Sequence, residues 1–176
     1  MKFIIEDLFK SLNISENQSK LYSEGLIVSL ESHNHSSVTK LKIDGLSTEI
    51  LDLIWSQKVN KAGWREPKDY TEAGALALAL FSALNFTDYD YIEQSMIGTG
   101  FDYYLSYSNE HPSFDGINIF QAKMEVSGIL SGDQSQIRAR LSQKINQCRS
   151  NPVYQNLSGY VSISEFSNPI THFVKL

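Results

Sequence analysis

The chain has 176 residues, 41% of them hydrophobic and 11% aromatic, which excludes a disordered or low-complexity protein and suffices for one buried core. Its formal net charge of -5 argues against a protein that coats nucleic acid by charge alone, and a single cysteine excludes a disulfide framework and a cysteine-based zinc site. We therefore expect one domain in a reducing compartment, the cytoplasm. No apolar stretch is long enough for a signal peptide or a membrane span, so we expect no membrane association.

The first 70 residues predict an N-terminal elaboration of mixed structure. The predicted elements are a helix at 2–12, a short helix capped by Ser15, a hairpin with strands at 26–30 and 38–43, and a short helix at 48–55. No Pro-, Gly- or Ser-rich linker separates this part from the rest of the chain. That continuity favours one domain over residues 1–176.

The remaining part, residues 71–176, shows a more regular pattern. In chain order it predicts a buried helix at 71–85, strands at 91–97, 101–107 and 117–129, an amphipathic helix at 133–149, and strands at 159–166 and 170–174. Two cleanly alternating stretches, 119–127 and 160–166, are joined by one helix, which predicts parallel pairing in one sheet. The expected fold is α/β, a mixed central sheet flanked by helices with an αβββαβ core, plus the N-terminal helix and hairpin.

The candidate chemistry is concentrated around the strand at 117–129. Alternation places Gln121, Lys123 and Glu125 on one face of this strand. Asp102 interrupts an apolar and aromatic strand, and an unpaired buried carboxylate is costly there, so it should have a partner, a metal ion or an open edge. Glu72, at the start of the preceding helix, can reach the same place.

This combination resembles the PD-(D/E)xK nuclease superfamily, whose common core has the order of elements seen here from residue 71 to residue 166. The resemblance implies that Glu72 matches the helix acid, Asp102 the acid of the second strand, and Gln121-Ala122-Lys123 the acid-x-Lys pair, with Gln in place of the acid. In a second register Glu125 is the metal acid, and Ser127 stands where the motif has Lys. The implied site is Mg²⁺ held by Asp102, Glu125, Glu72 and Gln121, with Lys123 and Glu125 as catalytic residues.

The chemistry of such a site is metal-dependent phosphodiester cleavage, in a restriction, defence or mobile-element setting. A metal ion neutralises developing phosphorane charge and lowers the pKa of a water molecule, and carboxylates are the oxygen ligands that Mg²⁺ prefers. The helix at 133–149 carries Arg138, Arg140 and Lys144, which suit contacts with nucleic-acid phosphates. A rearranged active site and a catalytically degenerate one both remain open.

The charge distribution favours a second class of function. Residues 71–116 contain seven acidic residues and no Lys or Arg, a charge that repels phosphate unless metal ions offset it. The same segment carries five of the tyrosines, Tyr89, Tyr91, Tyr103, Tyr104 and Tyr107, a residue type that suits protein interfaces. The alternative is therefore a small bacterial immunity or accessory protein that binds a protein partner through an acidic, tyrosine-rich surface. Neighbouring, accessible Asp102 and Glu125 carboxylates favour the nuclease; distant or ion-paired ones favour the alternative.

Overall fold

The computed structural model describes residues 2–7 and 13–176. Its strands are β1 (Lys2–Ile4), β2 (Val38–Gly45), β3 (Glu49–Ile54), β4 (Tyr91–Gln94), β5 (Tyr103–Ser106), β6 (Ala122–Ile129), β7 (Ser158–Glu165) and β8 (Ile170–Lys175). Its α-helices are α1 (Glu16–Glu31), α2 (Pro67–Phe86) and α3 (Gln134–Ser150), with short 3₁₀ turns at Ile5–Asp7, Lys61–Gly63 and Pro152–Tyr154.

The described strands form one mixed sheet in the order β1-β3-β2-β8-β7-β6-β5-β4, and the helices flank it. The predicted α/β class is therefore confirmed. Strand β5 pairs antiparallel with β4 on one side and with β6 on the other. Strand β6 then pairs with β7 in parallel, and α3 forms the crossover between them. The predicted parallel pairing of these last two strands is confirmed.

Two layers of helix enclose the sheet. Helices α1 and α2 pack against one face of the sheet and bury the larger core there. This core includes Met124 of β6 and Phe173 of β8. Helix α3 covers the opposite face, where Ile137 packs with Val161 and Ile163 of β7. Since successive residues of a strand point to opposite faces, Lys123, Glu125 and Ser127 lie on the α3 side of β6.

The helices on the first face approach their neighbours closely through glycines. A Cβ atom added to Gly25 of α1 would lie 2.4 Å from Cβ of Ala73 in α2. A Cβ atom added to Gly128 of β6 would lie 2.6 Å from the carbonyl oxygen of Thr71. The first turns of α2 are therefore set directly on the last residues of β6.

The N-terminal elaboration differs from the predicted elements at three places. The helix predicted at 2–12 is wrong over residues 2–7, which form β1 and a 3₁₀ turn, and its remainder at 8–12 lies outside the described residues. The strand predicted at 26–30 is part of α1, and the helix predicted at 48–55 is β3. The hairpin of this part is consequently formed by β2 and β3.

These differences have physical causes. The stretch at 26–30 is short and almost wholly apolar. Its hydrophobic pattern therefore does not distinguish a buried strand from a helix that is buried on several sides. Ser15 does cap α1, as predicted, through a reciprocal pair of bonds with Gln18. Residues 49–54 are held between two strand neighbours, β1 and β2, and these pairings outweigh a weak helical pattern.

No α-helix within the described residues is long and apolar enough to cross a bilayer.

Candidate functional site

The lengths of the strands create a notch in the sheet. Strand β6 pairs with β7 along its whole length but with β5 only over Ala122, Lys123 and Met124. The C-terminal half of β6, from Glu125 to Ile129, therefore has no strand neighbour on the β5 side. We call this open edge the β6 notch.

Asp102 closes the inner end of the notch. It directly precedes β5, and the antiparallel register places it opposite Glu125. Its N–H donates to the carbonyl of Met124 at 3.0 Å, and its Oδ2 accepts a hydrogen bond from the N–H of Val126 at 2.7 Å. The side chain of Asp102 thus accepts the N–H of Val126, which would pair with backbone if β5 extended further toward its N-terminus.

Glu125, which the strand register places opposite Asp102, is fully buried. Its Oε1 accepts a short hydrogen bond from Nζ of Lys144, which reaches down from α3. Its Oε2 is buried and accepts no hydrogen bond from any of the described residues. An orphaned carboxylate oxygen inside a protein is costly unless a proton or a cation satisfies it.

The two carboxyl groups titrate as a pair. Burial, together with the negative charge of Asp102, raises the pKa of Glu125 from 4.5 to about 7, although Lys144 opposes the rise. Burial also raises the pKa of Asp102, against the hydrogen bond from Val126 and the charge of Lys144. Because the charge of Asp102 disfavours the charge of Glu125, a proton or a cation bound at either carboxyl group relieves the repulsion between them.

A cavity of about 990 Å³ opens from the notch. Its walls are the first turns of α2, the loop at 95–101 between β4 and β5, the end of β6 and one side of α3. The charged residues of the wall are Lys68, Glu72, Asp102, Arg140 and Lys144. Glu125 is not part of this wall but pairs with Lys144, so three cations stand against three carboxylates and the formal charge of the site is balanced, even though the segment 71–116 as a whole is acidic.

Helix α3 supplies the cationic side of this cavity. Arg140, Lys144 and Gln147 recur at helical spacing and line it together. Arg140 donates to Oγ of Ser127 at 2.9 Å, and Lys144 also donates to Gln147 at 3.2 Å. Arg138 is exposed and lies on another side of the helix, outside the cavity wall.

The other predicted site residues do not join Asp102 and Glu125. Lys123 shares the face of β6 with Glu125, but its Nζ donates to the carbonyl of Tyr154 at 2.9 Å and it does not line the cavity. Gln121 precedes β6 and donates to the carbonyl of Asn118. Glu72 lies exposed at the rim, 3.7 Å from Lys68 of its own helix. Among the described residues, no group of three or more His, Cys, Asp or Glu side chains is placed to hold a metal ion.

The link between Lys144 and Glu125 was not predicted from the sequence. Lys144 was assigned to phosphate contacts, whereas the structure also makes it the direct partner of the buried acid. The available signal was the spacing of Arg140 and Lys144 on a helix that crosses over between two parallel strands. Such a helix must lie on the sheet face that carries Glu125 or on the opposite one, and the sequence does not say which.

The tyrosines of the acidic segment are only partly on the surface. Tyr103 and Tyr104 are buried, while Tyr89, Tyr91 and Tyr107 are half-buried. Tyr104 of β5 stacks on Phe120, a residue of the loop that precedes β6.

Comparisons with protein-family models, with curated proteins and with solved structures give no match to this chain.

Proposed function

We propose that the chain is a nuclease-like domain that holds a nucleic-acid phosphate in the β6 notch and cleaves a phosphodiester bond with the aid of Mg²⁺. The observation that carries the proposal is the half-buried Asp102 opposite the fully buried Glu125, whose Oε2 accepts no hydrogen bond from the described residues, beside a cavity wall that carries Arg140 and Lys144. The order of elements and the place of Asp102 at the start of the second core strand support the resemblance to PD-(D/E)xK nucleases.

The donor set is compatible with magnesium. Proteins commonly hold Mg²⁺ through one or two carboxylates, and water and substrate phosphate complete the shell. Asp102 and Glu125 supply two carboxylates, and Oε2 of Glu125 is the oxygen that no protein donor satisfies. When bound, Mg²⁺ neutralises charge on the phosphate and activates a water molecule.

The remaining roles belong to α3. In this register Glu125 is the motif acid, and Ser127 stands two positions further on, where the motif has Lys. Arg140 reaches Ser127 and Lys144 reaches Glu125, so both cations come from the helix above the strand. We assign Lys144 to positioning Glu125 and, with Arg140, to binding the phosphate oxygens. Lys123 is assigned a structural role, and Arg138 lies outside the site.

A cytoplasmic location belongs to the same proposal. The single cysteine, Cys148, is a buried free thiol, as expected for a protein that keeps no disulfides. The alternative, an immunity or accessory protein that binds a protein partner, stays a prediction, and the ion pair of the fully buried Glu125 with Lys144 is an observation in its favour. The burial of Tyr103 and Tyr104 removes part of the surface on which it was based.

A cleavage assay tests the proposal. Labelled single-stranded and duplex DNA and RNA are incubated with the protein in Mg²⁺ or in EDTA. We expect cleavage of at least one substrate in Mg²⁺ alone, and a fall to background in Asp102→Asn and in Glu125→Gln.

The matched control is Asp90→Asn. Asp90 also accepts a backbone hydrogen bond, from the N–H of Ser108 at 2.7 Å, but it does not line the cavity. This variant should cleave at the wild-type rate. The proposal is wrong if the wild type cleaves none of the substrates, or if Asp102→Asn cleaves as fast as Asp90→Asn.

A further inference from the structure

The loop at 95–101 presents two large apolar side chains to solvent at the mouth of the cavity. The side chain of Met96 is 76% exposed and that of Ile97 is fully exposed. Both residues line the same cavity as Arg140 and Lys144 of α3. Adjacent exposed apolar side chains at a concave, charged site indicate contact with a partner.

The loop is held in one shape by its own hydrogen bonds. The buried Thr99 hydroxyl lies within hydrogen-bonding distance of Ser95 Oγ and of the carbonyls of Met96 and Phe101, at 2.9–3.0 Å. Asn151, just beyond α3, donates to the carbonyl of Thr99 at 3.1 Å. Because its base is fixed, the tip can be inserted into a partner with little loss of conformational freedom.

Glycines permit this shape. Gly98 and Gly100 have φ angles of +97° and +85°, values that side chains other than glycine rarely adopt. They flank Thr99, so the chain reverses around the hydroxyl that ties the loop together. Met96 and Ile97 are thereby left at the outer end of the turn.

The loop itself is uncharged, and the cations beside it belong to α3. Residues 94–101 carry no charged side chain, although the surrounding segment 71–116 holds seven acids. An uncharged tip in the cavity that Arg140 and Lys144 also line suits a partner that is anionic along one edge and apolar along the other. A nucleic acid, with its phosphates and base faces, has this character.

We propose that Met96 and Ile97 form a wedge that enters between adjacent bases of a nucleic acid whose phosphate lies against Arg140 and Lys144. Apolar side chains inserted at a base step unstack it and bend the strand. This inference rests on the proposed function, because it requires a nucleic acid at the β6 notch. It goes further by naming the distortion that the protein imposes on its substrate.

The test uses DNA duplexes of mixed sequence that contain the fluorescent base 2-aminopurine, whose emission rises when it is unstacked. Titrations are made in EDTA so that no cleavage occurs, and fluorescence anisotropy reports binding in the same samples. The wild type should bind and raise the emission. The double variant Met96→Ser with Ile97→Ser should bind with affinity reduced by less than about tenfold, because phosphate contacts dominate affinity, and should lose the rise in emission.

The matched control is the double variant Ile117→Ser with Ile119→Ser. These side chains are 82% and 63% exposed in another loop and do not line the cavity. This variant should raise the emission as the wild type does. Circular dichroism checks that each variant is folded.

Two outcomes overturn the inference while leaving the proposed function intact. One is binding with no rise in emission; the other is a rise that survives in the Met96 and Ile97 double variant. A wild type that binds no DNA overturns the wedge and counts against the proposed function as well. Binding of the loop to anionic lipid vesicles, lost in the same double variant and without base unstacking, would reassign Met96 and Ile97 to a membrane surface.

Discussion

At the scale of single residues, some contacts of the half-buried Asp102 and the fully buried Glu125 destabilise their charges and others stabilise them. Burial disfavours both charges, and the two carboxylates repel each other. The N–H of Val126 and the ammonium group of Lys144 offset part of that cost, but Oε2 of Glu125 has no donor among the described residues. The pair is therefore most stable when it holds a proton or a cation.

Asp102 can be tested by two substitutions that separate its charge from its hydrogen bond. Asp102→Asn keeps an oxygen that accepts the N–H of Val126 but removes the repulsion with Glu125, so stability at pH 8 should be unchanged or higher. Asp102→Ala leaves that N–H without its acceptor and should cost about 1–3 kcal/mol. Urea unfolding of both variants measures the difference. Equal destabilisation by both changes would show that the carboxylate charge stabilises the fold.

The raised pKa of Glu125 sets a pH dependence of stability. Between pH 4.5 and about 7 the unfolded chain has lost this proton while the folded chain keeps it, so the free energy of unfolding falls as the pH rises through this window. The contribution is at most about 3–4 kcal/mol, at about 1.4 kcal/mol per unit of pKa shift.

Denaturant titrations of the wild type and of Glu125→Gln, made across this window, measure the effect. The glutamine variant should show a clearly flatter decline. The control is Glu110→Gln, an exposed acid outside the cavity wall, which should reproduce the wild-type curve. Parallel curves for wild type and Glu125→Gln would contradict the assigned pKa.

At the scale of elements, the site depends on how α2 and α3 are set around the end of β6. Helix α3 brings Lys144 to Glu125 on one face of the sheet. On the other face, α2 rests on β6 at Gly128, where no side chain separates the strand from the helix. The rim of the cavity therefore moves whenever this contact changes.

Gly128→Ala tests the contact between α2 and β6. The added Cβ atom would lie 2.6 Å from the carbonyl oxygen of Thr71, a backbone atom, so the helix must shift. We expect a loss of about 1–3 kcal/mol, the usual cost of overpacking. Gly63→Ala is the control, because its Cβ atom would meet nothing within 4 Å. Thermal unfolding of both variants measures the loss, and an equal effect of the two changes would contradict the close approach.

The elements after residue 67 could be predicted in kind and order because their signals are local and strong, although the strands predicted at 91–97, 101–107 and 117–129 extend beyond β4, β5 and β6 into the adjoining loops. The Ala/Leu pattern marks α2, Asp133 caps α3 as a helix start, and alternation marks β7. Earlier elements could not be predicted in the same way. Residues 26–30 and 49–54 take their structure from neighbours distant in sequence, which short periodic patterns do not reveal.

The candidate site was predictable in part. The rule that buried acids need partners pointed to Asp102, and alternation placed Glu125 on a face of its strand, but the register that sets them opposite each other comes from the pairing of β5 with β6. That register also decides that Glu125, and not Gln121, faces Asp102. The bond from Lys123 to Tyr154 depends on a turn after α3 that no sequence motif predicts.

At the scale of the whole molecule, one sheet joins the N-terminal elaboration to the part formed by residues 71–176. Strands β2 and β8 pair in parallel and connect the two parts. The chain is acidic overall, with a net charge of -5, yet the cavity wall carries three cations against two carboxylates. Glu125, paired with Lys144, balances the third cation, so the protein should bind phosphate weakly at first and gain affinity when a metal ion neutralises the carboxylate pair.

The central claim is that Asp102 and Glu125 bind a divalent metal ion, and calorimetric unfolding with and without Mg²⁺ tests it most directly. At pH 8, above the pKa of Glu125, Mg²⁺ should raise the unfolding temperature of the wild type, because a ligand that binds only the folded state stabilises it. The rise should be smaller at pH 6, where a proton competes, and absent in Asp102→Asn, while Asp90→Asn should respond as the wild type does. No effect of Mg²⁺ on the wild type, together with a clear loss of stability in Asp102→Asn, would contradict the account.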